Sequence, residues 1–511
     1  MSDQETTLVP ATESDLSGPV ADADGRRSTS LYRAMWRWHF YAGLFAIPVI
    51  VMLCLTGIVY LFRPQLDSVL YGALRDVRPG ASVVDYQQQL NTVTVRFPGG
   101  SVDAVMPPHE ADRSTQFELT AEDGTPYSAY VNPYTGGYLG SRNHQHDPSY
   151  IALQLHGSLW SGAWLGWVPG GVDPAKWGDW YIELVASWTV VLVVSGVYLW
   201  WPRGKRKRRR DGVIVPRWNA RNRRIRWRDV HAITGVLFSF VTLFFLISGL
   251  TWTGFWGPQV LTRAMDVTNG NYPAALLEGA TSTKAGDLTT GFKPSWASSN
   301  LPVPLSGEPG SPVQHAGHHG VGTLTWDAGQ GAPLDAVVTT AQQQYQPGFA
   351  IFMPADETGV YTVFAGPDVD PKPVQPAGQG GTMFIDQYTA QPVANLPESS
   401  YAFGARALDW SISVHEGREW GWISQTLALF GTLALLLSVA TSLVMWRARR
   451  PKGLGAPRKE PNRKRMLGVA VITLGLGVLF PLLGLSIVAL LTLEYLLIRR
   501  VPGPSRTFGT Q

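Results

Sequence analysis

The chain has 511 residues, 45% of them apolar and 16% charged, with a formal net charge of +4, where about a quarter charged is ordinary for a soluble domain. That shortfall excludes a disordered or nucleic-acid-binding chain and points to lipid, yet the polar stretches are too extensive for a protein that is membrane throughout. The single cysteine, Cys54, excludes intramolecular disulfides, zinc ribbons, cysteine-held iron–sulfur clusters and covalently attached haem, so any haem is held non-covalently.

Residues 1–30 are polar and read as a disordered tail with no cleavable leader, the first span serving as an uncleaved anchor. Four apolar stretches reach the roughly 20 residues that cross a bilayer. They fall within 31–62, 180–202, 227–257 and, from Trp422 to Trp446, at the end of 401–446. Between them lie two long loops: 63–150, followed by a helical segment at 151–179 that carries His156, and 258–400, followed by a helix that carries His415. The short loops at 203–226 and 447–465 are basic. The last stretch, 466–498, precedes a tail at 499–511 and is too long for one relaxed span. With Pro481 near its middle and basic residues at both ends, it predicts a tight hairpin turning at Phe480-Pro481, a single tilted span being the alternative. The fold expected is a mainly α membrane protein, a four-helix transmembrane core built from two repeated halves plus this hairpin, with two α+β domains outside.

Charge sets the orientation. The run from Arg203 to Arg228 holds 13 basic residues and one acid, Asp211, and with the tails and the other short loop 29 of the 42 basic residues fall on one side. The long loops carry about twice as many acidic as basic residues. The basic side, N-terminus included, is expected to be cytoplasmic and the large loops periplasmic, in a multi-pass protein of a bacterial inner membrane.

The chain repeats itself. The first span opens Trp36-Arg-Trp-His39 and continues to Gly43 and Thr56-Gly57; the third opens Trp227-Arg-Asp-Val-His231 and continues to Gly235 and Ser248-Gly249. In both, the histidine precedes the first glycine by four residues and the second by eighteen. Leu155-His156-Gly157 and Val414-His415-Glu416-Gly417 stand ahead of the second and fourth spans. The loops repeat too. Val83 to Leu90 predicts a helix, with strands at 116–120 and 127–131 and the turn Asn132-Pro-Tyr-Thr-Gly-Gly-Tyr138. Leu334 to Tyr345 predicts a second helix, with strands near 349–353, 361–364 and 382–385 and the turn Asp386-Gln-Tyr-Thr389, after a Gly/Pro/Ser-rich linker at about 281–320.

His39, His156, His231 and His415 are matched in this repeat and lie near the ends of membrane helices. Eighteen helical residues cover about 27 Å, so the four fall at two levels, with two histidines at each. Haem iron held by two neutral imidazoles needs two histidines on facing helices with an apolar slot between them. Gly43 and Gly235, one turn along from His39 and His231, would let a flat macrocycle approach the backbone; Gly157 and Gly417 would serve similarly outside. An interfacial polar role for each histidine and a zinc or copper site are the competing readings, the latter without carboxylate or thiolate partners. Asp229 and Glu416 are candidates to orient the imidazoles. His144, His146, His315, His318 and His319 read as solvated loop histidines, transient contact with a metal or substrate being the alternative; His109 has no visible companion, and Glu494 reads as lying near the cytoplasmic surface, a buried functional carboxylate being the alternative.

The Trp-x-x-His and His-x-x-x-Gly openings, the Leu-His-Gly and His-Glu-Gly segments, the Phe480-Pro-Leu-Leu-Gly-Leu-Ser486 run and the two turns together resemble the PepSY-associated transmembrane helix family. In the second turn Ala390-Gln391 replaces Gly136-Gly137. The resemblance implies an iron-regulated inner-membrane protein similar to the haem-b reductases of ferric siderophores, with two haems b on His39, His156, His231 and His415. No flavin or nicotinamide motif is present, so electrons are expected from a cytoplasmic or quinol donor and are delivered to a ferric siderophore or another periplasmic iron chelate. The alternatives are a haem-free PepSY protein that binds or regulates periplasmic peptides or proteases, and a transporter of iron or its chelate.

Overall fold

The computed structural model describes residues 30–161, 174–202, 211–268, 288, 299, 301–306, 331–346, 348–356, 358–366, 380–449 and 474–493. Most of the expected linker, together with His315, His318, His319 and Glu494, lies outside the described residues.

Long apolar sequences without a polar stripe make the membrane bundle. Helix α1 (Ser30–Leu61) runs unbroken past Pro48 into α2 (Arg63–Arg75), which the sequence reading did not foresee. Helix α3 is Tyr86–Arg96, starting later and running further than expected, and α4 is Pro148–Ser158. The second span is α5 (Pro174–Trp200). The third, expected as one helix, is two: α6 (Arg223–Leu237) and α7 (Ser239–Leu250), bent by 53°. No proline stands at the bend; Ser239 Oγ bonds back to the Val236 carbonyl at 2.7 Å and loosens the helical ladder there. After α8 (Leu334–Gln344) and α9 (Phe403–His415), the fourth span is α10 (Trp422–Arg449). Among the described residues three helices are long and apolar enough to cross a membrane, four with the bent pair. In α11 (Pro481–Leu493) the Gly484 β position would fall 2.7 Å from the Gly477 carbonyl, so the chain doubles back at Phe480-Pro481.

The two loop units, expected as separate domains, share one antiparallel sheet. Its strands are β1 (Ser101–Met106), β2 (Thr115–Thr120), β3 (Pro126–Val131), β4 (Tyr138–Asn143), β5 (Phe349–Phe352), β6 (Val360–Ala365), β7 (Gly381–Asp386) and β8 (Pro392–Pro397), in the order 4-3-2-1-5-6-7-8. The seam is β1 against β5, with Ala104 opposite Phe352 and Val105 opposite Ile351. The sequence does not announce strands β1, β4 and β8; β4 and β8 form the edges and bury little on either face, so neither shows an apolar alternation. Helices α3 and α8 cover one face over Val93, Phe117, Val337 and Ile351. Asp335 of α8 accepts the Tyr86 and Gln87 amides at 2.8 and 3.1 Å, so the second unit caps the helix of the first. The opposite face of β5–β7 buries Phe352, Phe364 and Phe384 with Ile412 of α9, which bears His415.

Candidate functional site

The bundle brings the four repeated histidines together in two pairs. His39 of α1 faces His231 of α6 with ring centroids 6.2 Å apart and planes at 79°. His156 of α4 faces His415 of α9 at 6.4 Å and 88°. The first pair lies at the end of the bundle reached by the basic loops, the second at the end under the sheet. Each pair takes one histidine from each half of the repeat.

The rings are held from behind by the other helix of their own half. His39 Nδ1 meets the Leu192 carbonyl at 3.1 Å and Ser195 Oγ at 3.0 Å on α5. His231 Nδ1 meets the Ser438 carbonyl at 3.0 Å and Thr441 Oγ1 at 3.3 Å on α10. His156 Nδ1 meets Thr56 Oγ1 of α1 at 3.1 Å, and His415 Nδ1 meets Ser248 Oγ of α7 at 2.7 Å. A carbonyl only accepts, so at the basic end Nδ1 donates. At the sheet end the hydroxyl hydrogens already go to helix carbonyls, Thr56 to Met52 at 2.8 Å and Ser248 to Phe244 at 2.7 Å, which leaves those oxygens as acceptors. All four rings therefore carry hydrogen on Nδ1 and a lone pair on Nε2. Imidazoles that ligate metals are commonly fixed in this way.

Next to each hydroxyl stands a small residue. A β carbon on Gly57 would lie 3.3 Å from His156 Cε1, on Gly196 3.2 Å from His39 Cε1, and on Gly249 3.6 Å from His415 Cε1. The seats are thus Thr56-Gly57, Ser195-Gly196, Ser248-Gly249 and Thr441-Ser442. In the sequence Thr56-Gly57 and Ser248-Gly249 stand only as marks of duplication; their common signal is a hydroxyl residue followed by a small one, on the helix that faces each histidine. Gly43 meets Leu192 at 3.6 Å instead, while Gly235 has nothing within 4 Å among the described residues. Outside, Gly417 is required for another reason. It sits at φ +72°, and a β carbon there would strike Leu61 at 2.5 Å, so it lets the turn after His415 close onto the end of α1. Gly157 has nothing within 4 Å of its β position among the described residues.

Several expected roles are corrected. Asp229 takes the guanidiniums of Arg217 and Arg228 at 2.7 and 3.0 Å, and Glu416 pairs with Arg418; the Nδ1 partners are the hydroxyls and carbonyls above. His109 has a neighbour, Glu110, at 3.8 Å. His146 is exposed, but His144 is not a solvated loop residue: it is 4% exposed, 3.3 Å from Glu118 and 2.8 Å from Ser128 Oγ.

His144 belongs to a buried polar node between sheet and bundle. Arg142 of β4 reaches Asp67 of α2 at 3.2 Å and Asp147 at 3.3 Å. Asp147 in turn caps α4, accepting the Tyr150 amide at 2.8 Å. One guanidinium thus ties the sheet to the continuation of the first span and to the helix that bears His156. Burial alone would raise the Glu118 carboxyl, but the hydrogen bond and charge of His144, with Arg142, outweigh it and hold Glu118 down at about 2.

The helix α4 ends just past His156 with Leu159 and Trp160 both in the left-handed region, at φ 54° and 50°. That conformation costs a non-glycine residue about 1 kcal/mol. It is held by bonds from the Leu159 amide to the Leu155 carbonyl and from the Trp160 amide to that of Gln154.

No curated protein matches the chain. The family described as the PepSY-associated TM region matches residues 36–449, from the tryptophan ahead of His39 to the end of α10. The chain therefore belongs to this family of PepSY-associated transmembrane proteins.

Proposed function

We propose that the protein is a di-haem b electron conduit of a bacterial inner membrane, which carries electrons from a cytoplasmic or quinol donor to a periplasmic ferric siderophore or similar ferric chelate. The observation that carries this reading is the spacing of the imidazole pairs. Each metal–nitrogen bond takes about 2 Å and each ring adds about 1 Å from nitrogen to centre, so two imidazoles sharing one iron have centroids about 6 Å apart. The pairs lie at 6.2 and 6.4 Å. The uniform Nδ1–H tautomer leaves Nε2 for iron in every ring, and among the described residues nothing stands within 4 Å of the β position of Gly235, one turn from His231.

When bound, the haems supply one-electron chemistry. The chain's own residues do the rest. The four hydroxyls and the carbonyls beside them hold the imidazoles so that no ring turns when charge changes, and the Nδ1 protons stay in place. The apolar span between the levels, about 27 Å along the helix, keeps ions and water out, so that only electrons would pass from one level to the other. The acidic loops and the charge of the basic segments support a periplasmic sheet, where reduction to ferrous iron would weaken its hold by hard oxygen ligands.

A reduced-minus-oxidised spectrum of purified protein tests this. A sharp low-spin b-type band is expected, and adding a ferric siderophore to the reduced protein should abolish it. A colourless preparation overturns the reading. A reduced band that no ferric chelate removes keeps the conduit and removes the substrate assignment.

A further inference from the structure

The chain that joins the second span to the third is folded against both of them, and two tethers hold it. Trp200, the last residue of α5, donates its Nε1 hydrogen to the Val213 carbonyl at 2.9 Å. Arg217 reaches the buried Asp229 of α6, with Nε at 2.7 Å, Nη2 at 3.0 Å and its own amide at 3.2 Å. Between the tethers the Gly212 amide donates to the Val215 carbonyl at 2.6 Å. Gly212 sits at φ +77°, and a β carbon there would fall 2.6 Å from Arg217 Nε, so the turn needs glycine. Asn222 then caps α6 by accepting the Arg224 amide at 2.9 Å.

A turn fixed this firmly presents apolar side chains outward. Ile214 is 65% exposed, Val215 45% and Trp218 62%, and Trp201, beside the first tether, is 58% exposed. A cluster of exposed apolar groups on a fixed surface marks a place that something apolar covers. Guanidiniums stand next to them. Arg226 precedes Asp229 by three residues and so shares the face of α6 that holds Arg217, while Arg221, Arg223 and Arg224 are exposed on the approach to that helix and in its first turn. Among the described residues no acid pairs with these four side chains, since Asp229, the nearest in sequence, is taken by Arg217 and Arg228.

The position of the loop decides what covers it. Both tethers stand at ends of membrane-spanning elements: Trp200 closes one span, and α6 opens the bent pair that makes another. The exposed apolar side chains therefore lie at the depth of the lipid headgroups, where tryptophan and arginine are both favoured. A soluble partner would have to displace lipid to reach them.

We infer that this loop docks anionic phospholipid, with Arg221, Arg223, Arg224 and Arg226 on the headgroup phosphates and Trp201, Ile214, Val215 and Trp218 against the upper acyl chains. The docking needs no haem and is independent of the electron conduit.

Native mass spectrometry of the full-length protein in detergent micelles counts the bound lipid. The probes are dioleoylphosphatidylglycerol and dioleoylphosphatidylcholine, which share their acyl chains and differ in headgroup charge. Wild type should bind the anionic lipid at least tenfold more tightly, and raising the salt should erase that preference. In R221Q/R223Q/R224Q/R226Q the preference should be lost while the neutral lipid binds as to wild type. In I214S/V215S/W218S the anionic lipid should bind several-fold more weakly, because charge alone then holds it. Equal binding of the two lipids by wild type, or a preference that salt does not touch, overturns the inference. So does a preference that survives in the arginine variant, which would assign the lipid to the basic run at 203–210. A preference lost in the arginine variant but undiminished in the apolar one also overturns it, and would assign the arginines to the acidic surface of a soluble partner.

Discussion

The two halves of the bundle differ in backbone and agree in chemistry. The first span is one helix from Ser30 to Leu61, whereas its repeat is bent by 53° between Leu237 and Ser239. Their companions differ as well, since α4 ends in two left-handed residues and α9 ends at a left-handed glycine. Yet each histidine keeps a hydroxyl acceptor on the facing helix of its own half, and each imidazole pair still closes to between 6.2 and 6.4 Å. Divergence has moved the helices while the seats have been kept. Selection on packing alone would not keep four hydroxyls aimed at four imidazoles.

The largest effect that would break this equivalence is loss of a ligand. Because each pair draws on both halves, His39→Ala and His231→Ala should each remove the same haem, about half of the total, and their combination should remove no more. A pyridine haemochrome assay against protein concentration checks it; a combined variant without haem would mean that the pairs are not built across the halves.

A smaller effect separates the seats from the other glycines. In Gly57→Val the side chain starts 3.3 Å from the His156 ring and must push it, so weaker retention of the sheet-end haem is expected. Gly157→Ala, with nothing within 4 Å of its β position among the described residues, should leave haem content unchanged. Equal loss in both variants would show that the seats have no special geometry.

The smallest effect concerns the sheet, where the halves agree least. The Glu118–His144 pair belongs to the first unit, while β5–β7 of the second are buried along both faces. A carboxylate held near 2 against an ordinary 4.5 contributes stability above pH 4.5 that is lost as pH falls through about 2, on the order of 3 kcal/mol. Glu118→Gln should remove that contribution near neutral pH and flatten the acid dependence of the melting temperature of the detergent-solubilised protein. An unchanged acid limb would sink the assignment.

Much of this was legible in the residues themselves. The spans announce themselves by length and apolarity, and the four histidines by their places in the repeat, because both signals are local or periodic. What stayed hidden depends on partners far along the chain. Ser195, Ser248 and Thr441 look like ordinary helix hydroxyls bonded to their own preceding turns, and only the fold shows that they also accept from imidazoles. Asp229 and Glu416 stand within two residues of histidines in sequence, yet arginines take them, since a guanidinium is the stronger partner for a carboxylate. The joined sheet was invisible for the same reason: the β1–β5 seam links residues separated by well over two hundred positions. His144 looks solvated because its loop is polar, but Glu118 of β2 and Ser128 of β3 receive it in a buried site.

The central claim is that one imidazole from each half shares an iron at each level. Low-temperature electron paramagnetic resonance of the oxidised, purified protein measures this most directly. Ferric signals from two low-spin centres, each with two nitrogen axial ligands, are predicted, one of them vanishing in His415→Ala and the other in His231→Ala. High-spin iron, a single centre untouched by either substitution, or protein without iron would contradict it.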